Sequence, residues 1–190
     1  MRAFYYFFFL LAFVVALFLG GCGDSQSKSY YERFSKDFTS LDSSQKNFIK
    51  YTYDVLEEYP DDFTYALLAI AWQESSFGKN VYNHKDPSCG AFQQLLANHY
   101  LKHLQLKDKS LWRKSEICLD LIENQNFALS QAVERLKEWQ TKYQDKWGKW
   151  EYIFRSYNAG HNHNQEEAKV YAKMIKARIK VLEERLEDIL

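Results

Sequence analysis

The chain has 190 residues with 25 basic and 25 acidic side chains, so its formal net charge is zero. That length is enough for one domain with a real core, and the balanced charge excludes a nucleic-acid binder that relies on a broad basic surface. Aromatics make up 17 % of the sequence, and Trp72, Trp112, Trp139, Trp147 and Trp150 all fall in the part expected to fold. Such faces suit sugar rings, yet in a small helical domain most of them are core.

Residues 1–21 read as an export signal rather than as part of the fold. Arg2 supplies a positive start, Phe4 to Leu19 is an uninterrupted apolar stretch, and the segment ends in Leu19, Gly20, Gly21 and Cys22. This ending resembles a bacterial lipobox, which implies that Cys22 is lipidated and becomes the first mature residue. The alternative is a plain transmembrane anchor of about 16 to 18 apolar residues, at the short limit for a span; it gives the small-small-Cys ending no role. Either way the domain faces the exported side of a membrane, and Gly23 after the cysteine favours the outer membrane. Residues 23–40, small and polar from Gly23 to Lys28, are expected to be a tether, and 41–190 the domain. An oxidising compartment makes a disulfide between Cys89 and Cys118 the expected state. The alternative is that Cys118, between Ile117 and Leu119, is a buried thiol.

The rest reads as helix nearly throughout, an all-α fold. Ser43 or Ser44 is expected to cap a helix running to about Glu58. Pro60 breaks it, and Asp62 is expected to cap a second helix ending near Phe77 and Gly78. Residues 79–95 form a polar loop, followed by helices at about 96–104 and 111–123. Leu129, Ala132, Val133, Leu136, Trp139 and Tyr143 then share one face at helical spacing. Gly148 to Tyr157 reads as a short helix closed by Gly160. The last helix starts near Gln165 and carries Ala168, Ala172, Ile175, Ile179, Leu182 and Leu186 as an apolar stripe. That stripe is expected to pack on the domain at its start and to extend past it as a docking face for a wall-spanning assembly partner.

Glu74 closes a stretch that otherwise reads as buried helix, from Tyr65 to Trp72. Burying a charge is costly, so a carboxyl group there keeps its proton or finds a partner. A carboxylic acid protonated near neutral pH is the general acid that glycosidic-bond cleavage needs. The plain alternative is an exposed Glu at a helix end. Three further motifs weigh against it: Gly90-Ala91-Phe92-Gln93, Ser156-Tyr157-Asn158-Ala159-Gly160, and Glu167-Ala168-Lys169-Val170-Tyr171.

Together with Glu74-Ser75-Ser76-Phe77, these motifs resemble, in order and spacing, the soluble-type lytic transglycosylase domain, a relative of goose-type lysozyme. That family shows E-S-x-F, G-L-M-Q, A-Y-N-A-G and E-T-x-x-Y-V. The stretch from Asn126-Phe127 to Arg135-Leu136 is similar to its N-I…Y-L helix, and the resemblance covers roughly residues 60–178. It implies a lysozyme-like fold and a peptidoglycan glycan strand as substrate, with neither cofactor nor metal. It also implies a single Glu, here Glu74, that protonates the bond between N-acetylmuramic acid and N-acetylglucosamine and then acts as base. Intramolecular attack of the muramic C6 hydroxyl would give a 1,6-anhydro product.

On the same footing, Ser75 is expected to contact substrate or orient the acid, and Gly90 to let the backbone approach a ligand. Phe92 would wall the cleft, and Gln93 would hydrogen-bond an acetamido group or sugar hydroxyls. Tyr157 and Asn158 would line the same cleft, and the Tyr171 hydroxyl would reach the acid. Ordinary core packing is the alternative for both tyrosines. The sequence departs from the family at Ala91, Phe92, Ser156, Ala168 and Ala172, and Gln94 stands where the family has an apolar residue. Rival readings are a hydrolytic muramidase, with Asp86 as the nearest second carboxylate, and a non-cleaving peptidoglycan-binding lipoprotein. His161 and His163 lack the further ligands a metal site needs.

Overall fold

A computed structural model describes residues 25–83, 88–96 and 110–190, without the side chain of Leu111. The segment expected to be an export signal, with Cys22, the greater part of the helix expected at 96–104, and Asp86 lie outside the described residues. Chain order is α1 (25–39), α2 (Ser43–Val55), α3 (Asp61–Ser75), β1 (Ser88–Cys89), β2 (Gln94–Leu95), α4 (Leu111–Glu123), α5 (Gln125–Lys142), α6 (Lys149–Ala159) and α7 (Glu166–Arg185). The fold is all-α and lysozyme-like. Its one sheet among the described residues is the antiparallel pair β1–β2, with Ser88 opposite Leu95 and Cys89 opposite Gln94.

α3 is the axis of the domain. Its Leu67, Leu68, Ala69, Ile70 and Ala71 are all fully buried, and a helix apolar all round must be enclosed by others. α2 and α7 pack on it directly, and α6 packs on α7. The expected caps shift by small steps. Asp42, not Ser43 or Ser44, caps α2 in a reciprocal box with Gln45: each backbone N–H donates to the other's side chain at 3.0 Å. α2 ends at Val55, short of Glu58. Asp62 does not cap α3; it accepts from the Trp150 indole at 3.0 Å, while Asp61 and Asp62 still favour the helix start electrostatically. At the other end Ser76 and Phe77 take positive φ (54° and 57°), and Phe77 turns back under Trp72.

The expected tether is corrected most strongly. Residues 25–39 are helical, and α1 places Phe34 (0 % exposed) and Phe38 (3 %) against Trp72. The Arg178 guanidinium lies 3.7 Å over the Phe34 ring, and Arg185 donates to the Ser35 carbonyl at 3.2 Å. Fully burying an aromatic ring outweighs the polar start of the segment. Phe34→Ala should destabilise the domain by about 3–5 kcal/mol. An unchanged midpoint in urea unfolding would show that α1 is not docked as described.

The terminal stripe is corrected too. Ala168, Ala172, Ile175, Leu182 and Leu186 are buried, and Ile179 is partly so. The stripe therefore faces the core over its whole length, and it offers no apolar docking face for an assembly partner.

Candidate active site

Glu74 stands on the last turn of α3, half-buried. α7 runs along α3 and delivers Tyr171, whose hydroxyl donates to Glu74 Oε1 at 2.5 Å. Tyr171 is 6 % exposed. Burial first, then the charge and the hydrogen bond of Glu74, hold its pKa well above the usual phenol range. The phenol is thus a fixed donor that orients the carboxyl group.

Two turns further along α7, Arg178 is 6 % exposed. Burial lowers its pKa to about 10, and the nearby Tyr171, Asp37 and Glu74 partly counter that. It stays charged at neutral pH, and its Nε has no hydrogen-bond partner. One signal in the sequence could have found this residue: a lone charge inside the apolar stripe, at i+7 from Tyr171.

A pocket of about 390 Å³ opens beside Glu74, lined also by Asp37, Gln73, Lys79 and Arg178. A second, of about 430 Å³, is lined by Gln73, Tyr171 and Asn158. A third, of about 860 Å³, takes in Asn158, Gly160, Trp139 and Arg135. Gln73 is shared by the first two and Asn158 by the last two. The three therefore adjoin as a trough beside Glu74, an arrangement that suits an extended polymer. Asp37, on the helix expected to be a tether, was not a sequence candidate.

Four expected contact residues build the trough instead of facing it. Ser75 is 1 % exposed. Its hydroxyl lies 2.7 Å from the Ala91 carbonyl and 3.1 Å from that of Ala71, and it accepts from the Gly78 N–H at 2.8 Å. It ties the β1–β2 turn to the end of α3. Gly90 (φ +81°) approaches Leu121 of α4, not a ligand: a Cβ there would meet the Leu121 carbonyl oxygen at 2.5 Å. Phe92 is 1 % exposed and packs on Phe48 at 6.2 Å between centroids. Tyr157 is 3 % exposed, and its hydroxyl donates to the Phe92 carbonyl at 3.2 Å.

Gln93 sits at the turn with φ 46°, and its amide NH₂ reaches back to the carbonyls of Gly90 (3.0 Å) and Asn80 (3.4 Å). Asn158 is exposed in the trough. Gln94, the departure from the family pattern, is 1 % exposed. It accepts from Arg135 Nη1 at 3.3 Å and donates to the Tyr157 hydroxyl at 3.5 Å. Arg135 also donates to the Tyr157 carbonyl at 2.7 Å and stacks 4.5 Å over its ring. His161 and His163 sit edge-on to Trp139 and Tyr143. Among the described residues no group of three or more His, Cys, Asp or Glu could hold a metal ion.

Cys89 and Cys118 are bridged, with Cα atoms 5.4 Å apart. The bridge ties β1 to α4 at the point where Gly90 lies against Leu121. Closing that loop stabilises by about 3.5 kcal/mol in the chain-entropy model. Cys118→Ser should lower the unfolding free energy by about that amount and slow turnover, because the turn carrying Gln93 loses an anchor. Melting curves and activity measured with and without reductant check both effects.

Neither the curated proteins nor the solved structures contain a match to this chain. A family model described as the transglycosylase SLT domain does match, over residues 59–179. That span is well over half the chain and contains Glu74, the Gly90–Gln93 turn, Tyr157, Asn158 and Tyr171. The chain therefore belongs to the transglycosylase SLT domain family, and its activity is of the lytic transglycosylase type, acting on peptidoglycan.

Proposed function

We propose that the domain cleaves the β-1,4 bond between N-acetylmuramic acid and N-acetylglucosamine without consuming water, with Glu74 as the catalytic residue. The observation that carries this reading is the 2.5 Å hydrogen bond from Tyr171 to a half-buried Glu74 that lines one of a set of adjoining pockets. Glu74 in its acid form gives its proton to the glycosidic oxygen as the C1–O bond breaks. The substrate's own acetamido oxygen stabilises the cation at C1, so no protein nucleophile is needed. The carboxylate then takes the proton of the muramic C6 hydroxyl, and O6 bonds to C1. Glu74 ends protonated, ready for the next bond, and the product carries a 1,6-anhydro ring.

Tyr171 positions the carboxyl group through Oε1. Asn158 is an exposed polar side chain that lines the trough and is available to the sugar. Ser75, Gly90, Phe92 and Tyr157 hold the walls. Part of the same proposal is that the protein is a lipoprotein, held through Cys22 at the periplasmic face of a bacterial membrane, the outer one by the residue at position 23.

One observation favours a second reading, hydrolysis. Asp37 shares the pocket of Glu74, and a second carboxylate there could activate water as an inverting glycosidase does. Mass spectrometry of products from purified peptidoglycan separates the two. Anhydromuropeptides from the native protein are expected. Reducing ends, lost in Asp37→Asn, would replace the transglycosylase reading with a muramidase. Intact glycan together with retained binding would leave a wall-binding lipoprotein.

A further inference from the structure

The widest part of the trough differs in chemistry from the part beside Glu74. Arg135 and Lys142 both line it. Arg135's hydrogen-bond partners are neutral oxygens, the Gln94 side-chain carbonyl and the Tyr157 backbone carbonyl. Lys142 lies over the rings of Trp139 (4.7 Å) and Tyr143 (5.6 Å). Among the described residues neither cation is in a salt bridge. One carboxylate, the exposed Glu138, lines the pocket with them.

Arg135 is held in place from three sides: by buried Gln94, by the Tyr157 carbonyl and by the ring beneath it. A guanidinium has five N–H donors, and these contacts use one on each of its two Nη atoms. The arrangement presents a pre-organised, charged fork, the geometry that matches a carboxylate. A second observation points to a ligand here. Trp139 lines the same pocket, beside Arg135 and Lys142. An aromatic face beside a polar donor suits a sugar ring.

From this geometry we infer that the pocket lined by Arg135, Trp139 and Lys142 is a subsite for a carboxylate-bearing residue of the glycan strand, with Arg135 as the group that selects it. The inference rests on the glycan-cleaving reading and deepens it. The Gln94 departure then has a role. An apolar side chain at 94 would leave Arg135 Nη1 without its acceptor, so a buried glutamine supports a charged reader at 135. The carboxylate has two sources in peptidoglycan. In a peptide-free strand it is the acid of the muramic lactyl group. In a strand that keeps its peptides the lactyl group is an amide, and the acid belongs to the peptide.

The test is calorimetric binding by the full chain in nonionic detergent, carrying Glu74→Gln so that ligand is not consumed. Three strands are compared: peptide-free, peptide-free with its carboxyls methyl-esterified, and peptide-bearing. The expected result is tighter binding of at least one acid-bearing strand, by about ten- to a hundredfold over the ester. Arg135→Gln should remove that margin, weakening the acid strand by the same factor while the ester binds as before. Arg135→Lys should restore part of it. Which acid strand shows the margin identifies the source. Esterification changes the ligand alone, so it tests the subsite even if Arg135→Gln disturbs the fold. An ester bound as tightly as the acid overturns the inference. So does an equal loss on acid and ester strands in Arg135→Gln, or no binding of any strand. Cleavage by the native chain is measured in parallel. Charge-dependent binding without cleavage would remove the catalytic reading alone. Cleavage without charge dependence would remove the subsite alone.

Discussion

Glu74→Gln is expected to lower the rate of glycan cleavage by about a thousandfold or more, with little change in substrate binding. The amide keeps the shape of the side chain but cannot give a proton to the leaving oxygen, and positioned general acids contribute about 10²–10⁴ in rate. In the proposed mechanism one group serves in both proton transfers, so its loss falls toward the upper end. Tyr171→Phe gives the graded companion. Its hydroxyl touches the carboxyl group through the 2.5 Å hydrogen bond to Oε1, so its removal should cut kcat by about tenfold and leave KM nearly unchanged. In the double variant the Tyr171 effect should vanish, because the residue acts only through Glu74. Turnover of purified peptidoglycan by the four proteins reads this directly. Full effects of both changes in the double variant would mean that Tyr171 contacts the sugar itself.

Gly90→Ala should have the largest effect on stability of any one-carbon change in the domain. The site combines a φ of +81° with a Cβ position 2.5 Å from the Leu121 carbonyl oxygen. A left-handed conformation costs a non-glycine residue about 1–2 kcal/mol. The clash adds more, because its partner is backbone and cannot rotate away. The turn cannot retreat either: Cys89 beside it is bonded to Cys118 on the same helix as Leu121. Together these suggest a loss of about 3 kcal/mol or more, or about 10 °C in Tm for a chain of this size. A melt within about 2 °C of the native protein would show that α4 yields easily and that the bridge does not pin the turn. By contrast, Gly148 and Gly160 have no atom within 4 Å of an added Cβ. Alanine at either meets only the strain of its positive φ.

Local signals predicted local structure well. The helix expected at 111–123 is α4 with the same bounds. The face from Leu129 to Leu136 is buried on α5 as its spacing predicts. The order of the motifs foretold that Glu74 and Tyr171, 97 positions apart, would meet. The misses have physical reasons. The segment taken as a tether begins with small polar residues, but Tyr30, Phe34 and Phe38 repeat every four positions. That is the periodicity of a helix face, and burial against Trp72 decided the outcome.

Motif membership brings Ser75, Gly90, Phe92 and Tyr157 to the cleft but does not say which way a side chain points. A hydroxyl with three backbone neighbours and a phenylalanine in the core look the same in sequence as a binding residue. Gln94 and Arg135 looked unrelated in the sequence. They lie 41 positions apart, Gln94 stands out only as a departure from the family pattern, and only the fold makes them a pair.

The start of α1 has a consequence for reach. Residue 25 is already helical, and with Cys22 lipidated as proposed the three residues from the lipid to it can span at most about 10 Å. A leash that short gives the trough almost no range of heights above the bilayer. Cleavage would be confined to strands in one thin layer next to the membrane. Lengthening the link between Cys22 and residue 25 by about 20 flexible residues, some 25 Å of added span, should move that layer outward into the wall.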